Sequence, residues 1–288
     1  MDDLTLMVVH AHPDDESNST GVTLARYAAE GVRTVLVTCT NGEFGDAPGH
    51  IKPGEEGHDP DDVARIRLGE LKVATEALAV AHVETLGYRD SGMDGWPQNE
   101  DPRAFHRQPD DVVAARLIGL IEQFRPQVVV TYFANSGYNH PDHLKAHDVT
   151  VAALDACDIP SKLYLIARTR AYRGRMREIA EEYGVELPPF MQPQPPAPPP
   201  AEGEPIPEAP PRPFGVDDSL ITTYIDGSTY AAQKRAALAA HASQLEGTFF
   251  LKFPDEAFAK AFGAESFIRE RDTTGAPLPE DDFFAGLR

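Results

Sequence analysis

Two short clusters in this 288-residue chain combine imidazole and carboxylate groups within a few positions of one another. The first is Ala11-His12-Pro13-Asp14-Asp15-Glu16, and the second is Asn139-His140-Pro141-Asp142-His143. Two histidines and one aspartate with an open fourth position make a catalytic zinc site, in which the metal lowers the pKa of bound water to about 7. Each cluster alone has a structural explanation. Asp-Asp-Glu suits a helix start through capping and the helix dipole, and His-Pro-Asp-His suits a turn that feeds a helix. Their coincidence at corresponding strand ends favours one shared site. Other histidines compete for the role. His143 and His147 stand at i and i+4, a spacing that binds zinc in H-E-x-x-H motifs, but the Glu of that motif is missing between them. His147 is therefore expected behind the ligands or on the helix surface. His10 lies deeper in its strand, where a buried, hydrogen-bonded imidazole is expected.

The elements that must carry these clusters are readable from periodicity. Leu4–His10 reads as a buried strand, Gly21–Glu30 as a helix ended by Gly31, and Val32–Thr38 as a second strand. Such a βαβ unit implies a parallel sheet with a right-handed crossover. Asp59 and Pro60 can start a helix that runs to Leu78, and His82–Gly87 follows as a strand. Helices over Pro109–Phe124 and Pro141–Ala156 then alternate with strands Gln127–Tyr132 and Leu163–Ala167. The fold class expected is α/β, Rossmann-like, with a mostly parallel sheet and helices on both faces. In such sheets ligands bind beyond the carboxyl ends of the strands, which is where both clusters fall.

The alternation breaks at Leu187. Residues 188–213 hold 13 of the 26 prolines, a density that excludes helix or central strand and reads as an extended surface loop with polyproline II character rather than as a ligand for an SH3-like domain. Ser219–Ile225 is then a strand and Ser228–Leu245 a helix. The organisation expected is a catalytic core over 1–186, a proline-rich loop or linker over 187–213, and a segment over 214–288 that completes the same domain. The balance of 26 basic against 46 acidic residues gives a formal charge of −20. It argues against nucleic acid or an anionic membrane as partner. Two cysteines cannot build a disulfide framework, and the N-terminal stretch lacks the basic start of a signal peptide, so a soluble cytoplasmic protein is expected. A homo-oligomer is compatible with the sequence.

HAHPDDES (His10–Ser17) together with GYNHPDH (Gly137–His143) resembles the PIG-L/LmbE-like zinc N-deacetylases, which remove acetyl groups from N-acetylglucosamine (GlcNAc) attached to an aglycone. The likeness runs from Leu4 to about Ala156 and, more loosely, over Ile221–Gln244. It implies one zinc per chain, bound by His12, Asp15 and His143, with Asp14 as general base and a protonated His140 facing the reacting carbonyl. Asp142 is expected to orient or charge a neighbouring imidazole, as carboxylates behind metal ligands commonly do, and Tyr138 to be an additional donor to the oxyanion, while the resemblance implies that Arg67 and Asp90 hold sugar hydroxyls. His241 and Gln244 would close the site from the C-terminal segment. The chain departs from the family pattern at Phe133, where an Asp is common, while no implied zinc ligand is lost. Ser19 replaces a Lys typical of the mycothiol-conjugate amidase branch, so deacetylation of a GlcNAc-containing small molecule is the expected reaction and the amidase the runner-up. A non-catalytic carbohydrate-binding relative is the alternative from another class. Magnesium-dependent phosphotransfer is disfavoured, because no G-x-G-x-x-G or Walker A element is present to cradle phosphate.

Overall fold

Runs of β-branched residues alternate with amphipathic stretches, and each pair folds as a βα unit. The computed structural model describes residues 4–192 and 215–288. β1 (Thr5–His10) leads through α1 (Asp15–Ser19) and α2 (Gly21–Ala29) to β2 (Arg33–Thr40), α3 (Pro60–Ala77) and β3 (His82–Tyr88). α4 (Asp110–Phe124), β4 (Val128–Tyr132), α5 (Pro141–Asp155), β5 (Lys162–Ile166) and α6 (Tyr172–Tyr183) follow. The C-terminal part adds β6 (Thr223–Asp226), α7 (Ala231–Ala240), α8 (Ala242–Leu245), α9 (Asp255–Phe262) and β7 (Ala264–Asp272).

One seven-stranded sheet has the order β3-β2-β1-β4-β5-β7-β6. The first five strands are parallel, and β7 runs antiparallel to both β5 and β6. Chain direction along the sheet reverses between β1 and β4, which pair directly from Leu6↔Val128 to Val8↔Val130. That pairing sets the loops after the two strands side by side, at the switch point where open α/β sheets leave a crevice.

Side-chain alternation divides the core. Met7 and Val9 pack with Val113, Leu117 and Val149 under α4 and α5. Leu6 and Val8 face the other way, onto Leu24 and Tyr27 of α2 and onto Phe283 and Phe284 near the C-terminus. Each fully buried aliphatic side chain of this kind contributes roughly 1.5–3 kcal/mol. α3 begins as its sequence indicates: Asp59 accepts from the amides of Asp61 and Asp62, and Pro60 occupies the first turn.

The C-terminal part departs from expectation. The helix expected over Ser228–Leu245 is broken at His241 (φ −83°, ψ 54°), where a buried partner draws the imidazole inward. β6 starts four residues later than expected, because Asp217 caps a 3-10 turn over Asp218–Leu220. Strand β7 carries charges at Arg269 and Arg271 that mask its strand pattern; Arg269 is anchored on Glu280, 3.1 Å away. The proline-rich stretch lies outside the described residues from residue 193 on, while Leu187 and Met191 just before it are buried against α6. Among the described residues no helix is long and apolar enough to cross a membrane.

Candidate active site

His12 follows β1 directly, and the next residues turn sharply into α1. Asp14 takes φ 115°, ψ −26°, a backbone state that is costly for a residue with a side chain, by about 1–3 kcal/mol. Two neighbours hold it there. Its amide donates to Glu16 Oε2 (3.0 Å), and its carboxylate accepts from Arg67 Nη2 (3.0 Å). Arg67 also donates to the carbonyls of Pro13 (2.5 Å) and Gly42 (2.7 Å). Gly42 has φ +70°, and a Cβ there would collide with the guanidinium, so glycine is required twice over.

The second loop meets the first across the switch point. His140 caps α5: its Nδ1 accepts from the amide of Asp142 (3.2 Å), so the ring proton sits on Nε2. The rings of His12, His140 and His143 lie 4.5–5.4 Å apart, centre to centre. Donor atoms of His12, Asp15 and His143 fall within 4.8 Å of one another, and so do those of His12, His140 and Asp142. The surroundings separate the two sets. Asp142 is fully buried behind His12, and its oxygens are committed to His12 Nε2 (3.2 Å) and to the Ser91 amide (2.9 Å) and hydroxyl. Asp15 and His143 instead line a pocket of about 440 Å³ with His12. The hydrogen bonds to the Asp15 carboxylate fall on Oδ2, from Tyr132 (2.7 Å) and the His12 amide (2.9 Å). Two imidazoles and one carboxylate facing a pocket, with Asp142 fixing His12 from behind, are the donor set and support expected of a divalent cation such as zinc.

The electrostatics agree with a site built for positive charge. Burial opposes a charged His12, yet the carboxylates of Asp90, Asp142 and Asp15 hold its proton affinity well above the ordinary range. Burial also opposes ionised Asp15, which His143 and His12 nevertheless keep well below the usual carboxylate range. Burial raises Asp14 to about 6, against the pull of Arg67. His140 is driven down to about 2 by burial and by its imidazole neighbours. Because Nδ1 accepts from the Asp142 amide, Nε2 is the atom from which His140 can donate.

The residues expected on the substrate are distributed unevenly. Asp90 lines the pocket, but its oxygens accept from the amides of Gly92 (2.8 Å) and Phe44 (3.3 Å). Arg67 lines it too; its two Nη atoms make the bonds described above, while its buried Nε has no hydrogen-bond partner among the described residues. Gln244 reaches the pocket while its amide pairs with the backbone of Asp46, at 3.1 and 2.8 Å. His241 does not reach it. Fully buried, it bonds Glu16 Oε1 at 2.7 Å, because a buried carboxylate needs a partner. Tyr138 is 42% exposed at the pocket mouth, edge-on to His143. Phe133 lines the wall. His147 donates to the carbonyl of Tyr132 (2.8 Å), and His10 lies between Tyr132 and Thr20, neutral through burial.

Sequence reasoning passed over two contributors. Tyr132 stacks on His143 with centroids 4.0 Å apart and bonds Asp15, thereby touching two of the three pocket-facing donors. A phenol ending the strand Val-Val-Val-Thr-Tyr, just before the second loop, was its one signal. Glu16, visible only as the third acid of a run, ties Asp14 to His241.

Comparison with known proteins adds to this geometry. A family profile described as PIG-L, GlcNAc-PI de-N-acetylase, matches residues 7–154. The 1D-myo-inositol 2-acetamido-2-deoxy-alpha-D-glucopyranoside deacetylase of Acidothermus cellulolyticus is 41% identical over 302 residues, covering 98% of this chain and 95% of its own. Among solved structures, the N,N'-diacetylchitobiose deacetylase of Pyrococcus horikoshii aligns with a TM-score of 0.56 at 15% identity, over 94% of this chain and 85% of its own. The 4-carboxy-2-hydroxymuconate hydratase of Pseudomonas putida KT2440 aligns with a TM-score of 0.58 at 14% identity, over 96% and 99%. A deacetylase and a hydratase share this fold, so the fold alone does not select the chemistry.

Proposed function

The chain belongs to the PIG-L family of de-N-acetylases, and from that premise we propose that it removes the acetyl group from a GlcNAc joined to inositol, using zinc held by His12, Asp15 and His143. It is an enzyme, a metal-dependent hydrolase of amide bonds. The observation that carries the proposal is a carboxylate, Asp14, raised to about 6 and fixed by Arg67 beside three clustered pocket-facing donors. The inositol part of the substrate is supported by the name of the relative at 41% identity. When bound, the cation supplies Lewis acidity, lowering the pKa of water at the site to about 7 and polarising the acetamide carbonyl.

Asp14 takes a proton from the attacking water as the oxygen bonds to the carbonyl carbon. The carbonyl oxygen gains negative charge, and His140 Nε2–H and the Tyr138 hydroxyl donate to it. Collapse of the tetrahedral carbon breaks the C–N bond, and Asp14 returns its proton to the departing amine. Acetate and the free amine are the products. Asp142 keeps His12 oriented throughout through its bond to Nε2. Residues 1–186 and 214–288 act as one catalytic unit in this scheme, since Glu16, which holds the Asp14 amide, depends on His241.

The proposal is tested with zinc-reconstituted protein by acetate release from GlcNAc-inositol and free GlcNAc and by free-amine formation from the amide of a cysteine thioether conjugate. GlcNAc-inositol should be turned over with the highest kcat/KM. Hydrolysis of the thioether conjugate alone would overturn the deacetylase assignment in favour of an amidase, and sugar binding without hydrolysis of any substrate would leave a carbohydrate-binding protein.

A further inference from the structure

The polar atoms of the pocket are not equally available. On the side of α3 and the loop after β3, Arg67, Asp90 and Gln244 each hydrogen-bond within the protein, as described above, with Arg67 Nε alone left without a partner among the described residues. On the opposite side, beyond β5, Arg168 also lines the pocket. Its guanidinium makes one side-chain hydrogen bond, Nη2 to Asn18 Oδ1 at 3.0 Å, and packs over the ring of Tyr172 with 5.3 Å to the centroid. Among the described residues no carboxylate forms an ion pair with it. In a chain with 46 acidic and 26 basic residues, a cation without a carboxylate partner in a pocket wall is a group held open for a ligand.

The neighbours of Arg168 define what it would take. Asn18 accepts with Oδ1, which leaves its amide N–H groups as donors, and Ser19 and Ser136 line the same pocket, the Ser136 hydroxyl accepting from the Tyr138 amide (3.4 Å). Phe133 and Ile166 add apolar surface beside these donors. A wall rich in donors and backed by an apolar face suits a ring that carries several oxygen acceptors and has a C–H face, namely a cyclic polyol.

We infer that Arg168, with Asn18, forms the subsite for the polyol ring attached to the sugar, and that it sets the preference of the enzyme for such conjugates over the free sugar. This rests on the deacetylase function proposed above, because the acetamide must lie at the His12, Asp15 and His143 cluster while the ring reaches Arg168. A hydrogen bond to a charged donor, once removed, weakens binding by about tenfold or more.

Arg168→Met keeps the length and packing of the side chain without its donors, and Arg168→Lys keeps the charge. Arg168→Met should lower kcat/KM for GlcNAc-inositol at least tenfold more than for GlcNAc, chiefly through KM, with Arg168→Lys between the two. In parallel, calorimetry on metal-free protein should show weaker binding of glucosaminyl-inositol by Arg168→Met, with glucosamine affinity little altered. Equal losses for both substrates, or equal affinities of wild type and Arg168→Met for glucosaminyl-inositol, would overturn the inference. So would a preference of the wild type for a conjugate phosphorylated on the inositol ring, which would make the subsite an anion site. If wild type releases acetate from neither substrate, the deacetylase function fails, and the calorimetric comparison still decides the role of Arg168.

Discussion

At the scale of single residues, the proposed chemistry and the backbone strain meet at Asp14. Its backbone has φ 115°, its amide is held by Glu16, and its carboxylate is held by Arg67. Asp14→Asn keeps the shape and cannot accept the proton; acetate release should fall by about 10²–10⁴-fold, as for loss of a general base, with metal content unchanged. An unchanged rate would remove Asp14 from the base role. The pH dependence follows from the same group. Burial raises Asp14 to about 6, the ionised form is the active one, and so kcat/KM should drop as pH falls through about 6 and below. A bound cation stabilises the carboxylate further and moves this limb lower, never higher. A rate that increases on acidification from pH 7 to 5 would contradict the assignment. Tyr132 gives a separate check. Tyr132→Phe removes the hydroxyl that donates to Asp15 and should weaken zinc binding by about 10–100-fold in a chelator competition, while the stacking on His143 survives.

Among the elements, the loops after β1 and β4 were legible because their residue types are rare together and their strands are nearly pure in β-branched and aliphatic residues. The boundaries of β1, α3, α4 and α5 agree with the sequence pattern to within a residue or two, since Gly31, Asp59-Pro60 and Pro141 punctuate the chain. The break at His241 was not legible, because Ala231–Leu245 is rich in helix formers and nothing local marks the position. Its cause is a contact with Glu16, 225 positions away in sequence. The same holds for Arg67, whose helix position suggests a surface pair but whose guanidinium is buried under Gly42. The His241–Glu16 contact makes a prediction at this scale. Removing one partner of a buried charge pair typically costs about 3–5 kcal/mol, so His241→Leu should lower the unfolding free energy by that order in a denaturant titration. His241→Gln, whose Nε2 can donate to Glu16 from nearly the same point, should restore most of the stability and the rate. If both variants behave alike, the contact does not hold the loop.

For the whole molecule, the order β3-β2-β1-β4-β5 creates the crevice, and the C-terminal part completes its walls and braces its floor. Lys234 donates to the carbonyl of Asn18 and pairs with Glu265, which in turn accepts from the amides of Val22 and Thr23 at the start of α2. Farther from the site, Glu280 joins Lys162, Tyr164 and Arg269 in a buried network that seats the C-terminal tail on the sheet. The formal charge of −20 takes on meaning at the same scale: Asp14, Asp15, Asp90 and Asp142 converge on one cleft, beside the imidazoles of His12 and His143. The central claim, that this cleft is a metal-dependent deacetylase site with one cation per chain, is tested most directly by titrating zinc into metal-free protein while following acetate release from GlcNAc-inositol. The rate should rise from near zero and level off at about one equivalent per chain, and Asp14→Asn should bind the same equivalent without the rate. Full activity in metal-free protein, or a rate that Asp14→Asn preserves, would contradict it.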